Sequence, residues 1–159
     1  MSTHTIRPAR RDDAEGILAC LQALSAQDDA EHAALAGDYL RHGFGPNRIF
    51  QTVVVAAGAR IDGVAVFFPT FSTQRGRPGV YVQDLYLAPP LRGQGFGRRL
   101  LAAVRSQAAG WGADHLLLMV ARSNQDGAGF YDRLGFRPLD RYAPLLLEGA
   151  ALADLETDP

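Results

Sequence analysis

Apolar residues recur at Ala14, Ile17, Leu18, Leu21 and Leu24, the spacing of a single helix face, and the pattern fades between Ser25 and Asp29. Asp12 and Asp13 stand before it, where carboxylates accept bonds from the free amides of a helix start. A weaker helical pattern covers Glu31 to His42 and ends at Gly43-Phe44-Gly45-Pro46, residues that break helices. Ile6-Arg7-Pro8 reads as a short strand. Phe50 to Ala57 and Arg60 to Phe68 are β-rich runs joined through Ala57-Gly58-Ala59, the form of an antiparallel hairpin. Ser72 to Gly79 is polar and reads as a loop. Val80 to Leu87 predicts a further strand, closed by Pro89-Pro90, which cannot donate to a ladder. The next helix runs from about Gly95 to Ala109, with Leu100, Val104 and Ala108 on one stripe. Gly110 and Gly112 stop it. Leu116 to Ala121 is a near-continuous apolar run, the pattern of a strand buried on both faces. Gln125 to Leu134 predicts a short helix ending at Gly135, and Tyr142 to Leu147 a last strand; from Gly149 no pattern is clear. A hairpin followed by alternating strands and helices predicts an α/β (α+β) fold, a mixed sheet flanked by helices. One domain is expected over 1–159, with its core at about 4–148 and a tail at 149–159.

The 159 residues suffice for one buried core, and 47% hydrophobic with 21% charged residues is the balance of an ordinary globular chain. A net charge of −1 creates no field that would draw in nucleic acid or an anionic membrane, so neither is expected as a partner. All 16 basic residues are arginine. Without lysine the chain cannot form a Schiff base or supply the lysine of a Walker A loop or a protein kinase. Cys20 is the only cysteine, which excludes an internal disulfide and a thiolate metal cluster and suits a reducing, cytoplasmic setting. It reads as a buried small hydrophobe on the first helix rather than a nucleophile. His4, His32, His42 and His115 are scattered, no pair has metal-ligand spacing, and no metal is expected.

The most informative stretch is Val82 to Leu101, where a strand passes through Arg92-Gly93-Gln94-Gly95-Phe96-Gly97-Arg98 straight into a helix. Glycines at 93, 95 and 97 let the backbone turn and approach a ligand closely, and the first amides of the helix remain unpaired. Such a turn suits a phosphate. Arg92, Arg98 and Arg99 add charge that fits an anion with several oxygens. The spacing G-x-G-x-G departs from the dinucleotide fingerprint G-x-G-x-x-G.

In this segment the chain resembles the GNAT acetyltransferase superfamily, whose central motif is a strand, then Arg/Gln-x-x-Gly-x-Gly/Ala, then a helix. Asn124-Gln125-Asp126-Gly127-Ala128-Gly129-Phe130-Tyr131-Asp132-Arg133-Leu134-Gly135-Phe136 is similar to a second motif of that family, Asn-x-x-Ala/Ser-x-x-Phe-Tyr-x-x-x-Gly-Phe. Further likeness to the diamine and spermidine N-acetyltransferases lies in Ile6-Arg7-Pro8-Ala9, in Asp38-Tyr39-Leu40 to Gly43-Phe44-Gly45, and in Val66-Phe67-Phe68. The resemblance implies a mostly antiparallel sheet and acetyl-CoA as co-substrate. It implies that the loop Arg92, Gly93, Gln94, Gly95, Phe96, Gly97 and Arg98 holds the pyrophosphate. Leu85, Tyr86 and Leu87 would pair with the pantetheine arm, and Asn124, Gly127 and Tyr131 would complete the cofactor site. The chain departs from that branch at Gln83, where the branch has Glu, and the acidic residues expected after the Gly-Phe pair are sparse, leaving Asp140.

The chemistry so implied is direct attack by an amine in a ternary complex. An alkyl amine has a pKa of about 10.4, so well under 1% is neutral at pH 7, and the site must help remove a proton. Gln83 and Asp84 are candidates for orienting the amine, with Asp28 aligned to an acidic position of the polyamine branch. A strand amide, that of Leu85 or a neighbour, would meet the developing oxyanion, and Tyr131 would protonate the leaving thiolate. Acceptors from small amines (diamine, polyamine, amino acid) to a protein N-terminus or lysine fit this chemistry. Gln83 also motivates a non-catalytic acyl-CoA sensor. A homodimer is expected, joined through the apolar run Ala143 to Leu147.

Overall fold

The computed structural model describes residues 3–156, so residues 1, 2 and 157–159 of the expected domain span lie outside it. Five strands form one sheet in the order β1 (Thr5–Pro8), β2 (Gln51–Ala57), β3 (Arg60–Ser72), β4 (Arg77–Leu87) and β5 (Leu116–Leu118). The first four pair antiparallel, and β5 runs parallel to β4. Two helices, α1 (Ala14–Gln27) and α2 (Ala36–Phe44), cover one face; α3 (Phe96–Gln107) and α4 (Gln125–Arg133) cover the other. No helix among the described residues is long and apolar enough to cross a membrane.

Each face of the sheet has its own apolar cluster because side chains alternate along a strand. Val54, Ala56, Val64 and Val66 meet Ile17, Cys20, Leu21 and Tyr39 from α1 and α2. Val53, Val55, Ala65 and Phe67 meet Leu100, Leu101 and Val104 of α3, with Phe130 and Tyr131 of α4 at the margin. The entry to α1 is pinned by Asp13, which accepts from Arg7 Nη1 and Nη2 at 2.7 and 2.9 Å and from the Arg10 amide at 2.7 Å. Buried Cys20 donates to the Ile61 carbonyl at 3.6 Å.

Several sequence expectations need correction. The polar stretch from Ser72 is a hairpin: Ser72 pairs with Arg77 across the turn, and the Gly76 amide donates to the Ser72 carbonyl at 2.8 Å. The weaker second helix is displaced to Ala36–Phe44, where the Asp38 carboxylate accepts from the Leu35 amide. Leu116 to Ala121 is a strand only through Leu118, and its residues are half-buried rather than covered on both faces. Met119 is 63% exposed, because β5 parts from β4 at that point. Tyr142 to Leu147 is not a strand: residues 136–148 form neither helix nor strand. Pro144 removes a donor from the middle of the run, and Leu145 is left 96% exposed. After it, Gly149–Ala153 forms a short helix, α5.

Candidate active site

The centre of the molecule is shaped by an irregularity in β4. Val66 faces Asp84 while its neighbour Phe67 faces Val82, so Gln83 has no partner across the pair. One inserted residue reverses the alternation of side chains. Val80 and Val82, and beyond the bulge Leu85 and Leu87, therefore point to the α3 face. Tyr86 points to the α1 and α2 face, and Asp84 shares its parity. Gln83 itself is exposed at the bulge.

The same strand leaves backbone groups open. The Ala88 amide donates to the Asp62 carbonyl at 2.8 Å, which makes that pair and every second one before it, Tyr86 with Val64 and Asp84 with Val66, the bonded pairs of the ladder. Leu85 and Leu87 then direct their N–H and C=O groups away from β3. Their other side is a slot, since β5 pairs only as far as Leu118 opposite Val82. Arg92 Nε takes the Leu87 carbonyl at 2.9 Å. The Leu85 N–H, the Leu85 carbonyl and the Leu87 N–H remain for a ligand.

The glycine turn lies at the end of this slot. Gly93 and Gly95 have φ of +73° and +81°, and a Cβ at either would project into open space. Arg99 makes the first intrahelical bond, to the Gly95 carbonyl at 3.2 Å, so the amides of Phe96, Gly97 and Arg98 have no helical acceptor. Gln94 is tied to the Pro90 carbonyl at 2.5 Å, and the Arg92 guanidinium lies 5.7 Å from the Tyr86 ring. A turn of unpaired amides beside exposed arginines, with no side chain filling it, fits a polyphosphate group. Among the described residues no group of His, Cys, Asp or Glu is arranged to hold a metal.

Tyr131 reaches the α3 side from α4, whose start is capped by Asn124 Oδ1 accepting from the Gly127 amide at 2.9 Å. Capping occupies this oxygen and leaves the Asn124 amide nitrogen for another partner. Tyr131 packs between Phe130 and Phe136, at ring distances of 5.0 and 5.3 Å. Burial pushes its phenol up to about 12, so it holds its proton throughout the neutral range.

On the opposite face Asp84 is half-buried, and no hydrogen bond or ion pair to its carboxylate is formed among the described residues. Burial raises its pKa, opposed by the charge of His32. Around it stand Tyr39, pushed up to about 12 by burial, by Asp84 and by Asp38, and Tyr81, raised by burial and by Asp84. Tyr81 stacks on Phe68 at 5.1 Å. An unpaired carboxylate walled by aromatic rings has the chemistry to receive an alkylammonium.

Not every sequence candidate joins this group. Asp28 lines a cleft of about 380 Å³ with Arg92, Asn124 and Asp126, on the side of the glycine turn, and neither Gln83 nor Asp84 borders that cleft. Tyr39, His32 and Tyr81 stand around Asp84 in the candidate site, and the sequence did not single them out. His32 falls within the weaker helical pattern of the sequence, but the structure places it in the non-helical connection between α1 and α2, where that pattern assigned it no partner. The bulge does leave a trace, a jump in aliphatic phase from 80 and 82 to 85 and 87. Cys20, pushed up to about 11 by burial, is a packed hydrophobe.

Comparison with known proteins agrees with this geometry. The family described as acetyltransferase (GNAT) matches residues 17–136. A thialysine N-epsilon-acetyltransferase from Mus musculus is 28% identical over 168 residues, covering 98% of each chain. An L-ornithine N5-acetyltransferase from Arabidopsis thaliana is 28% identical over 116 residues, 73% of this chain and 48% of that one. In structure, an integron cassette protein from V. cholerae superposes with a TM-score of 0.79 at 20% identity over 99% of both chains, a likeness of fold. With the turn, the open strand edge and the tyrosine assembled around one slot, the chain belongs to the GNAT acetyltransferase family.

Proposed function

We propose that this protein transfers the acetyl group of acetyl-CoA directly to a primary amine of a small molecule. The observation that carries the reading is the Leu85 N–H, left without a strand partner at the point where β4 and β5 part. Acetyl-CoA would supply an acyl group already activated as a thioester. The amides of Phe96, Gly97 and Arg98 hold its pyrophosphate at the turn formed by Gly93, Gln94 and Gly95, with Arg92 and Arg98 beside it. The Leu85 carbonyl and the Leu87 N–H pair with the pantetheine arm next to Tyr86. Asn124 and Gly127 border the same path.

The Leu85 N–H donates to the carbonyl oxygen as negative charge develops there, a fixed dipole that needs no reorganisation. From one face of the sheet Asp84 holds the acceptor ammonium, with the Gln83 side-chain oxygen at the exposed bulge and Asp28 at the neighbouring cleft as outer polar contacts. From the other face Tyr131 gives its proton to the departing sulfur. The sheet thus separates the acceptor group from the acid. Thialysine and ornithine, named for the relatives, both carry an alkylamine, which supports a small acceptor here. The exposed Leu145, Leu146 and Leu147 support a homodimer seam at this run.

Calorimetry with coenzyme A, followed by thiol release from acetyl-CoA across a panel of alkyl amines, tests the reading. Micromolar to millimolar binding and release above the uncatalysed rate with at least one small amine are expected. Tight binding with no release for any amine would make the chain an acyl-CoA sensor. Absence of coenzyme A binding would overturn the reading.

A further inference from the structure

Ser25, His32 and Tyr39 form a hydrogen-bonded chain that leads to the acceptor side of the slot. Ser25 Oγ lies 2.9 Å from His32 Nδ1, and His32 Nε2 lies 3.0 Å from the Tyr39 hydroxyl. Tyr39 is buried, 8% exposed, and its ring rests edge-on against Phe50 at 6.4 Å. His32 is half-buried. The groups facing His32 are Ser25 from α1, Tyr39 from α2 and Asp84 from β4, with Asp38 acting on Tyr39 from within α2.

Resting on the function proposed above, we propose that His32, with Tyr39 as its relay, takes the proton lost by the acceptor ammonium bound at Asp84. Asp84 alone solves only half of the problem. A carboxylate beside an ammonium favours the charged amine, which cannot attack, so tight binding makes a separate proton acceptor more necessary. Gln83 cannot accept a proton, and the chain has no Glu at that place. In the tautomer that the relay uses, His32 Nδ1–H donates to Ser25 Oγ and Nε2 accepts from the Tyr39 hydroxyl. The ammonium then passes a proton to the Tyr39 oxygen as Tyr39 passes its own to His32 Nε2. The amine becomes neutral, Tyr39 is unchanged, and an imidazolium is left at His32. Tyr39 is suited to relay rather than to ionise, since its proton is held to about pH 12.

The test compares the pH dependence of kcat/KM for the best amine in the wild type, His32→Gln and Tyr39→Phe, with the His32 imidazole titrated independently by nitrogen-15 NMR. An enzyme that binds ammonium and deprotonates it through His32 gives an acidic limb of unit slope whose midpoint matches the NMR titration. A plateau follows, up to the pKa of the amine. Both variants should lose the plateau and rise with unit slope toward the amine pKa of about 10.4, because only amine already neutral reacts. Their deficit is expected to be roughly 1,000-fold at pH 7, to narrow about tenfold per pH unit, and to close only near the amine pKa. A merely structural role would lower the rate by the same factor at every pH, and that outcome overturns the proposal. A limb that survives in His32→Gln and vanishes in Asp84→Asn assigns the proton to Asp84 instead. If the wild type binds coenzyme A and acetylates no amine, the broader reading fails along with this one; if it acetylates with its limb unmoved in both variants, only the relay fails.

Discussion

Gly97 lies directly beneath the ring of Phe130: a Cβ on Gly97 would stand 2.8 Å from Phe130 Cζ. The three glycines of the turn thus do two different things. Gly93 and Gly95 provide backbone angles that L side chains rarely adopt, while Gly97, inside α3, provides room for the helix that carries Tyr131. Gly97→Ala is expected to cost about 1–2 kcal/mol, overpacking outweighing the small helix gain. It should lower turnover more than it weakens coenzyme A binding, because Phe130 and Tyr131 move together. Gly95→Ala should show the reverse split, weaker coenzyme A binding with turnover at saturation nearly intact, measured by calorimetry and steady-state rates.

Tyr131→Phe removes the proton donor and keeps the packing against Phe130 and Phe136. Turnover should fall roughly 100-fold or more, with the coenzyme A dissociation constant changed by less than about twofold. Because the wild-type phenol is pushed up to about 12, its loss of a proton should produce no decline in rate at or below pH 10. Equal turnover in the variant would remove Tyr131 from the mechanism.

Asp84→Asn should move activity and stability in opposite directions. The KM for the amine is expected to rise at least roughly tenfold, the loss of about 1.4 kcal/mol of binding. The folded protein should nevertheless become more stable at neutral pH. The Asp84 pKa is raised by burial, so the charged form costs stability above its folded pKa; the cost shrinks as pH falls below that value and is gone below the ordinary one, near 3.8. A Tm above that of the wild type at pH 7, with the gain vanishing in acid, is the expected readout. An unchanged KM would take Asp84 out of the acceptor site.

Asp13→Asn tests the clamp at the start of α1 rather than the chemistry. The hydrogen bond from Arg7 holds the Asp13 carboxyl below the ordinary carboxylate range, with the Arg10 amide assisting against burial. Stability from a depressed carboxyl is complete above its unfolded value, near 3.8, and is lost as pH falls through the lower folded value. Urea unfolding should show a deficit of about 2–3 kcal/mol at pH 7. The difference from wild type should be flat down to about pH 5 and narrow below about pH 4.

The parts of this architecture that local pattern encodes were legible in the chain. The 3.6-residue rhythm of Ile17 and Leu21, the hairpin at Gly58 and the strand, glycine turn and helix around Gly95 are each set by a few neighbouring residues. Long-range pairing decided the rest. Tyr142 to Leu147 carries a strand-like composition, yet a ladder needs a partner edge as well as a sequence, and Pro144 breaks the run. Leu116 to Ala121 is apolar enough for a central strand, but only three of its residues pair with β4.

By itself the sequence determined α1, the hairpin of β2 and β3, the strand, glycine turn and helix around Gly95, and the family likeness, because each depends on contacts between residues close along the chain. Only the tertiary structure decided that Gln83 is the unpaired residue of a bulge, that Asp84 therefore faces α2, and that Ser25, His32 and Tyr39 meet beside it. Those facts depend on register between β3 and β4 and on how the connection between α1 and α2 closes over the sheet, and neither is written in any local stretch of residues.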